Sequence, residues 1–170
     1  LISSNLERLL YSLTQDPGEV KDYMVQLSKT GRYEVSDKIR VRLQKHFKGY
    51  FCDDRETQRV IRAMYGKYGY LVDTHTAVAF SALSQYRHET GDSTTAIVAS
   101  TASPFKFSGS VLEALGEPVP ASGLDALDQL AAKTGLPAPA PLAGLRNKRI
   151  RFDQVVEKDR LLNAVATVLE

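Results

Sequence analysis

The sequence predicts an α/β fold that is rich in helices and has few strands of its own. Apolar residues recur at the three- and four-residue spacing of amphipathic helices along most of the chain. Only Thr95–Ala99 has the short, apolar and β-prone composition of a buried strand. One strand cannot form a sheet, and the chain starts at Leu1 without a methionine. We therefore expect a piece of a longer polypeptide, whose remaining sequence supplies the rest of the sheet.

Capping signals set the limits of the predicted helices. A capping box at Ser4–Glu7 begins the first helix, because the Ser4 hydroxyl can accept from the Glu7 amide while the Glu7 carboxylate reaches back. Proline at a first helical position and glycine after a last one delimit others. The predicted helices are Asn5 to about Thr14, Pro17 to Gly31, Ser36 to about Gly49, Asp53 or Asp54 to about Gly66, Asp73 or Thr74 through Tyr86, Pro104 to Leu115, one after Ser122, and Asp153 to Leu169.

The composition excludes several classes of partner. With 22 basic and 20 acidic residues, the net charge of +2 is too small to indicate binding to nucleic acid or to a membrane surface. No apolar run approaches the roughly 18 residues that a membrane-spanning helix needs. Cys52 is the single cysteine, so no internal disulfide is possible and a cytoplasmic location is expected.

Several reactive residue types stand in patterns that favour a structural role. The three histidines have no pairwise spacing typical of a metal-ligand motif, so no metal site is predicted. Cys52 lies between Phe51 and Asp53, a setting that favours packing over thiolate chemistry. The basic run Arg146–Arg151 could bind phosphate or nucleic acid, but its lack of aromatic residues favours a solvated surface.

Two junctions between an extended segment and a helix carry the most promising chemistry. Asp73–Thr76 places a carboxylate, two hydroxyls and an imidazole in the first turn of a helix. Ser100 and Thr101 follow the predicted strand directly, at the edge where open α/β sheets bind ligands. Ordinary helix capping also explains Asp73. Because the two junctions lie less than thirty residues apart in the chain, together they favour a binding site.

Four segments resemble the C-terminal part of threonine synthase, a pyridoxal-phosphate enzyme with a tryptophan-synthase-β type of fold. They are Ser3–Arg8 (family pattern SSNFERL), Asp53–Thr57 (DDxET), Gly69–Val78 (GYLxDPHTAV) and Ser100–Phe107 (STAHPAKF). The resemblance implies a helix-rich C-terminal fragment of a fold-type II pyridoxal-phosphate enzyme. It assigns residues 1–135 to the C-terminal part of the large cofactor domain, and residues 136–170 to a proline-rich link and a C-terminal helix.

The resemblance also implies an activity for the full-length protein. The family converts O-phospho-L-homoserine and water to L-threonine and phosphate, with pyridoxal 5′-phosphate as cofactor. Its Schiff-base lysine and its glycine-rich phosphate loop lie upstream of the SSNFERL segment. The 170 residues alone are therefore expected to be inactive and to need the missing N-terminal part of the same chain. Lys106 does not match the Schiff-base position and is expected to be a packed or ion-paired helix residue.

The resemblance assigns residues to the cofactor pocket. Thr101 matches the hydroxyl that hydrogen-bonds the pyridine nitrogen, and Asp73 matches an acidic residue near the cofactor ring. His75, Thr76 and Ser100 are possible neighbours of that pocket. A hydroxyl can donate to a neutral ring nitrogen, which leaves a milder electron sink than a carboxylate partner would.

This sequence departs from the family pattern at two positions. Thr74 stands where the family has proline, and Ser103 stands where it has histidine. The second change puts any role of that histidine in doubt. The alternative function is a non-catalytic helical interaction module that uses Arg146–Arg151 as its contact surface.

Overall fold

The computed structural model describes residues 3–151 and 155–169, and it divides the chain into two compact units. The first unit comprises Leu1–Phe51 and Ala82–Thr95, and the second comprises Cys52–Ser81 and Ala96–Glu170. The α-helices are α1 (Ser4–Thr14), α2 (Pro17–Thr30), α3 (Asp37–Gln44), α4 (Asp54–Tyr68), α5 (Thr74–Thr90), α6 (Ser108–Leu115), α7 (Gly123–Thr134), α8 (Ala140–Ala143) and α9 (Leu161–Leu169). Short 3-10 turns occur at Pro104–Phe107, Gly144–Asn147 and Lys158–Arg160.

The first unit packs α1, α2 and α3 around a small apolar core. Leu10, Val20, Tyr23 and Ile39 are buried there, and the Tyr23 and Tyr33 rings stack with their centroids 5.5 Å apart. These positions repeat at helical spacing because each helix turns one apolar stripe toward the others. The predicted helical character of this part of the chain is confirmed.

The second unit contains the larger core. α6 lies at its centre, packed against α4 and α7. The fully buried side chains of this core include Ile61, Val72, Leu112 and Leu130. Val72 belongs to the short extended segment that leads into α5, so the core fixes the point at which α5 begins.

The caps correct several predicted helix boundaries. Ser3 caps α1, because its hydroxyl accepts from the Leu6 amide at 3.4 Å, whereas Ser4 is already helical. α4 continues past Gly66 to Tyr68, since Gly69 has the left-handed conformation (φ 64°) that ends the helix. α3 ends at Gln44, well before Gly49.

The predicted strand at Thr95–Ala99 is wrong. No residue among those that the structure describes is in a strand, and Ile97 is 97% exposed. A strand needs a neighbour to pair its backbone amides and carbonyls, and this chain provides none within its described part. The helix-rich character predicted for the fold is confirmed.

The C-terminal segment also differs from its prediction. Its helix begins at Leu161, after the turn at Lys158–Arg160, while the predicted start at Asp153 lies outside the described residues. Ala138 and Leu142, which follow the predicted link boundary, pack against the core of the second unit. The boundary after residue 135 stays a prediction. Within the described ranges, no helix is long and apolar enough to cross a membrane.

Candidate functional site

Asp73 caps the N-terminus of α5. Its Oδ1 atom accepts hydrogen bonds from the backbone amides of His75 at 2.9 Å and Thr76 at 3.3 Å. Its Oδ2 atom accepts a further hydrogen bond from the Thr76 hydroxyl. The first turn of a helix leaves amides without partners, and Asp73 satisfies two of them. Capping, which is the alternative explanation for this residue, therefore accounts for the amide contacts of Oδ1, whereas Oδ2 bonds to the Thr76 side chain.

The Asp73 side chain is completely buried, with 0% of its surface exposed. Burial by itself raises the pKa of the carboxyl group, because it disfavours the charged form. The hydrogen bonds from the Thr76 side chain and from the Thr76 and His75 amides outweigh burial and hold the pKa of Asp73 below its usual value. The site therefore contains a buried negative charge at neutral pH.

Thr76 joins the two junctions. Its side chain is 2% exposed, and its Oγ1 atom hydrogen-bonds both Asp73 and, at 3.0 Å, the Ser100 hydroxyl. Ser100 is 24 residues further along the chain, in the segment that the sequence predicts as the end of a strand. The structure thus brings the first turn of α5 and the Ser100–Thr101 segment together within the second unit.

Thr101 is exposed, beside the residue that contacts Thr76. Its hydroxyl has no hydrogen-bond partner among residues 3–151 and 155–169. A hydroxyl can donate one hydrogen bond and accept others. The Thr101 hydroxyl can therefore both donate a hydrogen bond to, and accept one from, a molecule outside the described chain.

His75 lies on the outer side of the same helical turn. Its ring is 66% exposed, with Nδ1 3.4 Å from Asp73 Oδ1. The ring also contacts Phe107, with centroids 5.0 Å apart and planes tilted by 53°. Asp73 and Phe107 therefore hold the imidazole in place, while most of its surface stays open to solvent.

The two departures from the family pattern have local explanations. Thr74 is the first residue of α5, and its hydroxyl lies 3.5 Å from His75 Nδ1. The Ser103 hydroxyl accepts from the Phe105 amide at 3.3 Å and caps the 3-10 turn at Pro104–Phe107. Lys106 lies in this turn, exposed, and forms no ion pair with the described residues. The expectation that Lys106 is packed or ion-paired is therefore wrong.

A cleft of about 410 Å³ beside His75 is absent from the sequence predictions. Residues of α4, the first turn of α5 and α6 line it, together with Cys52. The Cys52 Sγ atom lies 3.3 Å from the Thr57 hydroxyl, so this cysteine is part of a local hydrogen bond. Ser110 and Glu113 contribute from α6. Ser110 and Glu113 are three residues apart on a largely apolar helix, and this spacing is the sequence signal that could have indicated the α6 side of the cleft.

Arg146, the first residue of the basic run, is paired within the second unit. Its Nη2 atom lies 3.1 Å from Asp125 Oδ1 and 2.6 Å from Asp128 Oδ2, both on α7. The two carboxylates raise the pKa of the Arg146 guanidinium, through hydrogen bonds first and charge second. Arg146 thus attaches the segment after α8 to α7.

A family model described as "Threonine synthase, C-terminal" matches residues 76–168, which is more than half of the chain. The chain belongs to this family. Among curated relatives, threonine synthase-like 1 of Macaca fascicularis is 31% identical over 116 residues, which cover 68% of the chain and 15% of that relative. Threonine synthase of Saccharomyces cerevisiae is 31% identical over 130 residues, covering 68% of the chain and 25% of the enzyme.

Solved structures of threonine synthases resemble the fold. The yeast threonine synthase structure matches with a TM-score of 0.71 and 27% identity, over 99% of this chain and 35% of that one. The PLP-bound threonine synthase from Brucella melitensis matches with a TM-score of 0.56 and 33% identity, over 75% of this chain and 27% of that one. The chain therefore spans about a third or less of these threonine synthases.

The threonine synthase family match covers only part of the candidate site. Thr76, Ser100 and Thr101 lie inside the matched residues 76–168, whereas Asp73 and His75 precede them. The hydrogen bonds between Asp73 and Thr76 connect the two parts. The prediction that this chain is a C-terminal portion of a threonine synthase is confirmed.

Proposed function

We propose that this chain forms one wall of the pyridoxal 5′-phosphate pocket in a threonine synthase. The full-length enzyme would convert O-phospho-L-homoserine and water to L-threonine and phosphate. The observation that carries the proposal is the exposed Thr101 hydroxyl, which bonds to no described residue and stands beside a buried hydrogen-bond network in a chain of this family. The PLP-bound structure from Brucella melitensis supports the choice of cofactor.

The chemistry of these residues fits one part of the cofactor, the ring nitrogen. Thr101 has a hydroxyl proton that no described residue accepts. The nearby carboxylate of Asp73 is buried, and both of its oxygens already accept hydrogen bonds. A hydroxyl donor with no free carboxylate beside it suits a neutral pyridine nitrogen rather than a protonated one.

In this proposal Thr101 would donate a hydrogen bond to the ring nitrogen and so orient the ring. When bound, pyridoxal phosphate supplies an electron sink for carbanions of the amino acid substrate. Asp73 contributes a buried negative charge next to the site. Its carboxylate is connected to the site by hydrogen bonds from the Thr76 hydroxyl and from the first turn of α5. Ser100 sets the position of the neighbouring Thr101, while His75 offers a largely exposed imidazole at the rim.

The remaining residues of the pocket belong to other parts of the full-length protein. The lysine that binds the cofactor and the loop that holds its phosphate are assigned to sequence upstream of this chain, as the resemblance implies. We therefore expect the isolated 170 residues to have no threonine synthase activity. The cytoplasmic location stays a prediction.

The test is a Thr101→Ala variant of the full-length protein, with Thr95→Ala as control. Thr95 is exposed in the same irregular segment. Losing one hydrogen bond to the cofactor should raise the cofactor dissociation constant about tenfold and lower kcat. Thr95→Ala should leave both unchanged. An unchanged absorption spectrum of bound cofactor, together with unchanged turnover in Thr101→Ala, would refute the proposal.

A further inference from the structure

Thr76 connects two segments of the chain through one buried hydroxyl. The side chain is 2% exposed, and its Oγ1 atom contacts Asp73 on one side and Ser100, at 3.0 Å, on the other. Because a hydroxyl both donates and accepts, Thr76 can give its proton to the carboxylate and accept one from Ser100. The three side chains then form a continuous hydrogen-bonded chain, in which each bond polarises the next.

The segment on the Ser100 side has little structure of its own. Residues 95–101 are in no helix or strand, and Ile97 is 97% exposed. The next regular element after this segment is the 3-10 turn that starts at Pro104. The hydrogen bond between the Thr76 and Ser100 hydroxyls therefore anchors this segment to α5, one residue before Thr101.

We propose that Thr76 is a positioning residue, whose hydroxyl holds Ser100 and thereby fixes where Thr101 presents its own hydroxyl. This inference rests on the proposed function, in which Thr101 contacts the cofactor ring. The negative charge of Asp73 strengthens the anchor, because it orients the Thr76 hydroxyl so that an oxygen lone pair faces Ser100. Thr76 itself touches neither cofactor nor substrate in this arrangement.

The residue types allow a clean set of variants. Thr76→Val keeps the shape and the branched side chain but removes the hydroxyl. Thr76→Ser keeps the hydroxyl and is the conservative variant. Ser100→Ala removes the bond to Thr76 and leaves all three hydrogen bonds to Asp73 in place. Because Ser100 is exposed, its replacement should not prevent folding.

The experiment uses the full-length protein and two measurements. The first is the dissociation constant of pyridoxal phosphate, and the second is amide hydrogen exchange of residues 100–102 in the cofactor-free protein. Thr134→Val is the matched control, since Thr134 is partly buried and its hydroxyl donates to the Leu130 carbonyl at 2.7 Å in α7. Thr76→Val and Thr134→Val thus remove the same chemical group, a threonine hydroxyl, at two different places in the fold.

Thr76→Val and Ser100→Ala should each weaken cofactor binding about fivefold, and the double variant should be no weaker than Thr76→Val alone. Exchange of residues 100–102 should become faster in both, Thr76→Ser should restore both measurements, and Thr134→Val should change neither. If the two single-variant increases in the dissociation constant multiplied in the double variant, the inference would be overturned. Unchanged amide exchange of residues 100–102 in either single variant would also overturn it. If the wild-type protein bound no pyridoxal phosphate, the proposed function would fail instead.

Discussion

Replacement of Asp73 should reveal how much a buried cap stabilises this fold. The side chain is fully buried and accepts three hydrogen bonds, from two backbone amides and from the Thr76 hydroxyl. Loss of an N-cap side chain costs about 0.5–2 kcal/mol, and a buried donor left without a partner costs about 1–3 kcal/mol. We therefore expect Asp73→Ala to lower the free energy of unfolding by about 2–4 kcal/mol.

Asp53 is the matched control, because it caps α4 in the same way at the surface. Its Oδ1 atom accepts from the Glu56 amide at 2.7 Å, and the residue is exposed. Water can replace this cap, so Asp53→Ala should cost only about 1 kcal/mol. Urea denaturation of both variants, followed by circular dichroism, measures the difference. Equal losses for the two variants would refute the reasoning that burial of the Asp73 network determines its contribution.

The pH dependence gives an independent check on Asp73. Its folded-state pKa is lower than the ordinary value of 3.8, because burial, which raises it, is outweighed by the three hydrogen bonds. The charged form thus stabilises the folded state at pH values above 3.8, and this stabilisation is lost as the pH falls toward the folded-state pKa. The stability difference between wild type and Asp73→Ala should therefore be constant near neutral pH and shrink below pH 3.8. A difference that grew with acidification would contradict the assigned direction.

Two further pairs of variants test the fold by thermal or urea denaturation. Leu112→Ala in the core of the second unit should cost about 2–5 kcal/mol, whereas Ile97→Ala, at 97% exposure, should change stability by less than about 0.5 kcal/mol. Gly69→Ala should destabilise by about 1 kcal/mol, because Gly69 has a φ of +64° at the end of α4. Gly66→Ala, inside the same helix with open space around it, should instead stabilise by up to about 1 kcal/mol. The same sign for both glycine variants would show that the end of α4 is misassigned.

Helix positions could be predicted from the sequence because their signals are local. Asp53 and Ser122 cap helices with their own side chains, and Gly116 ends α6 in the left-handed conformation. Each signal acts within four residues, so no distant contact is needed to recognise it. Most errors lie at helix ends, as at Ser3 and Ser4, where two adjacent hydroxyls compete for the same role, but the short helix α8 (Ala140–Ala143) is absent from the predicted helices.

The buried face of α5 could not be predicted from its apolar residues. The periodic pattern favours Ala79, Ala82, Leu83 and Tyr86, yet all four stay partly exposed. The fully buried positions on this helix are Thr76, Ala77 and Ser81. Hydroxyl side chains can be buried when they find partners, and Thr76 finds Asp73 and Ser100. A hydrophobicity pattern contains no information about such partners.

Most helices, the family resemblance and the residue types of the candidate site follow from the sequence alone, because caps, periodicity and ordered motifs depend on residues that are close together in the chain. The absence of a strand at Thr95–Ala99 is visible only in the folded chain, since a strand requires a pairing partner and no described residue pairs with this segment. The fold also shows that both oxygens of Asp73 are engaged and that Thr76 reaches Ser100, whereas no described residue bonds to the Thr101 hydroxyl. The contact between Thr76 and Ser100 joins residues 24 positions apart in the chain, and both this contact and the burial of Asp73 depend on how the core packs.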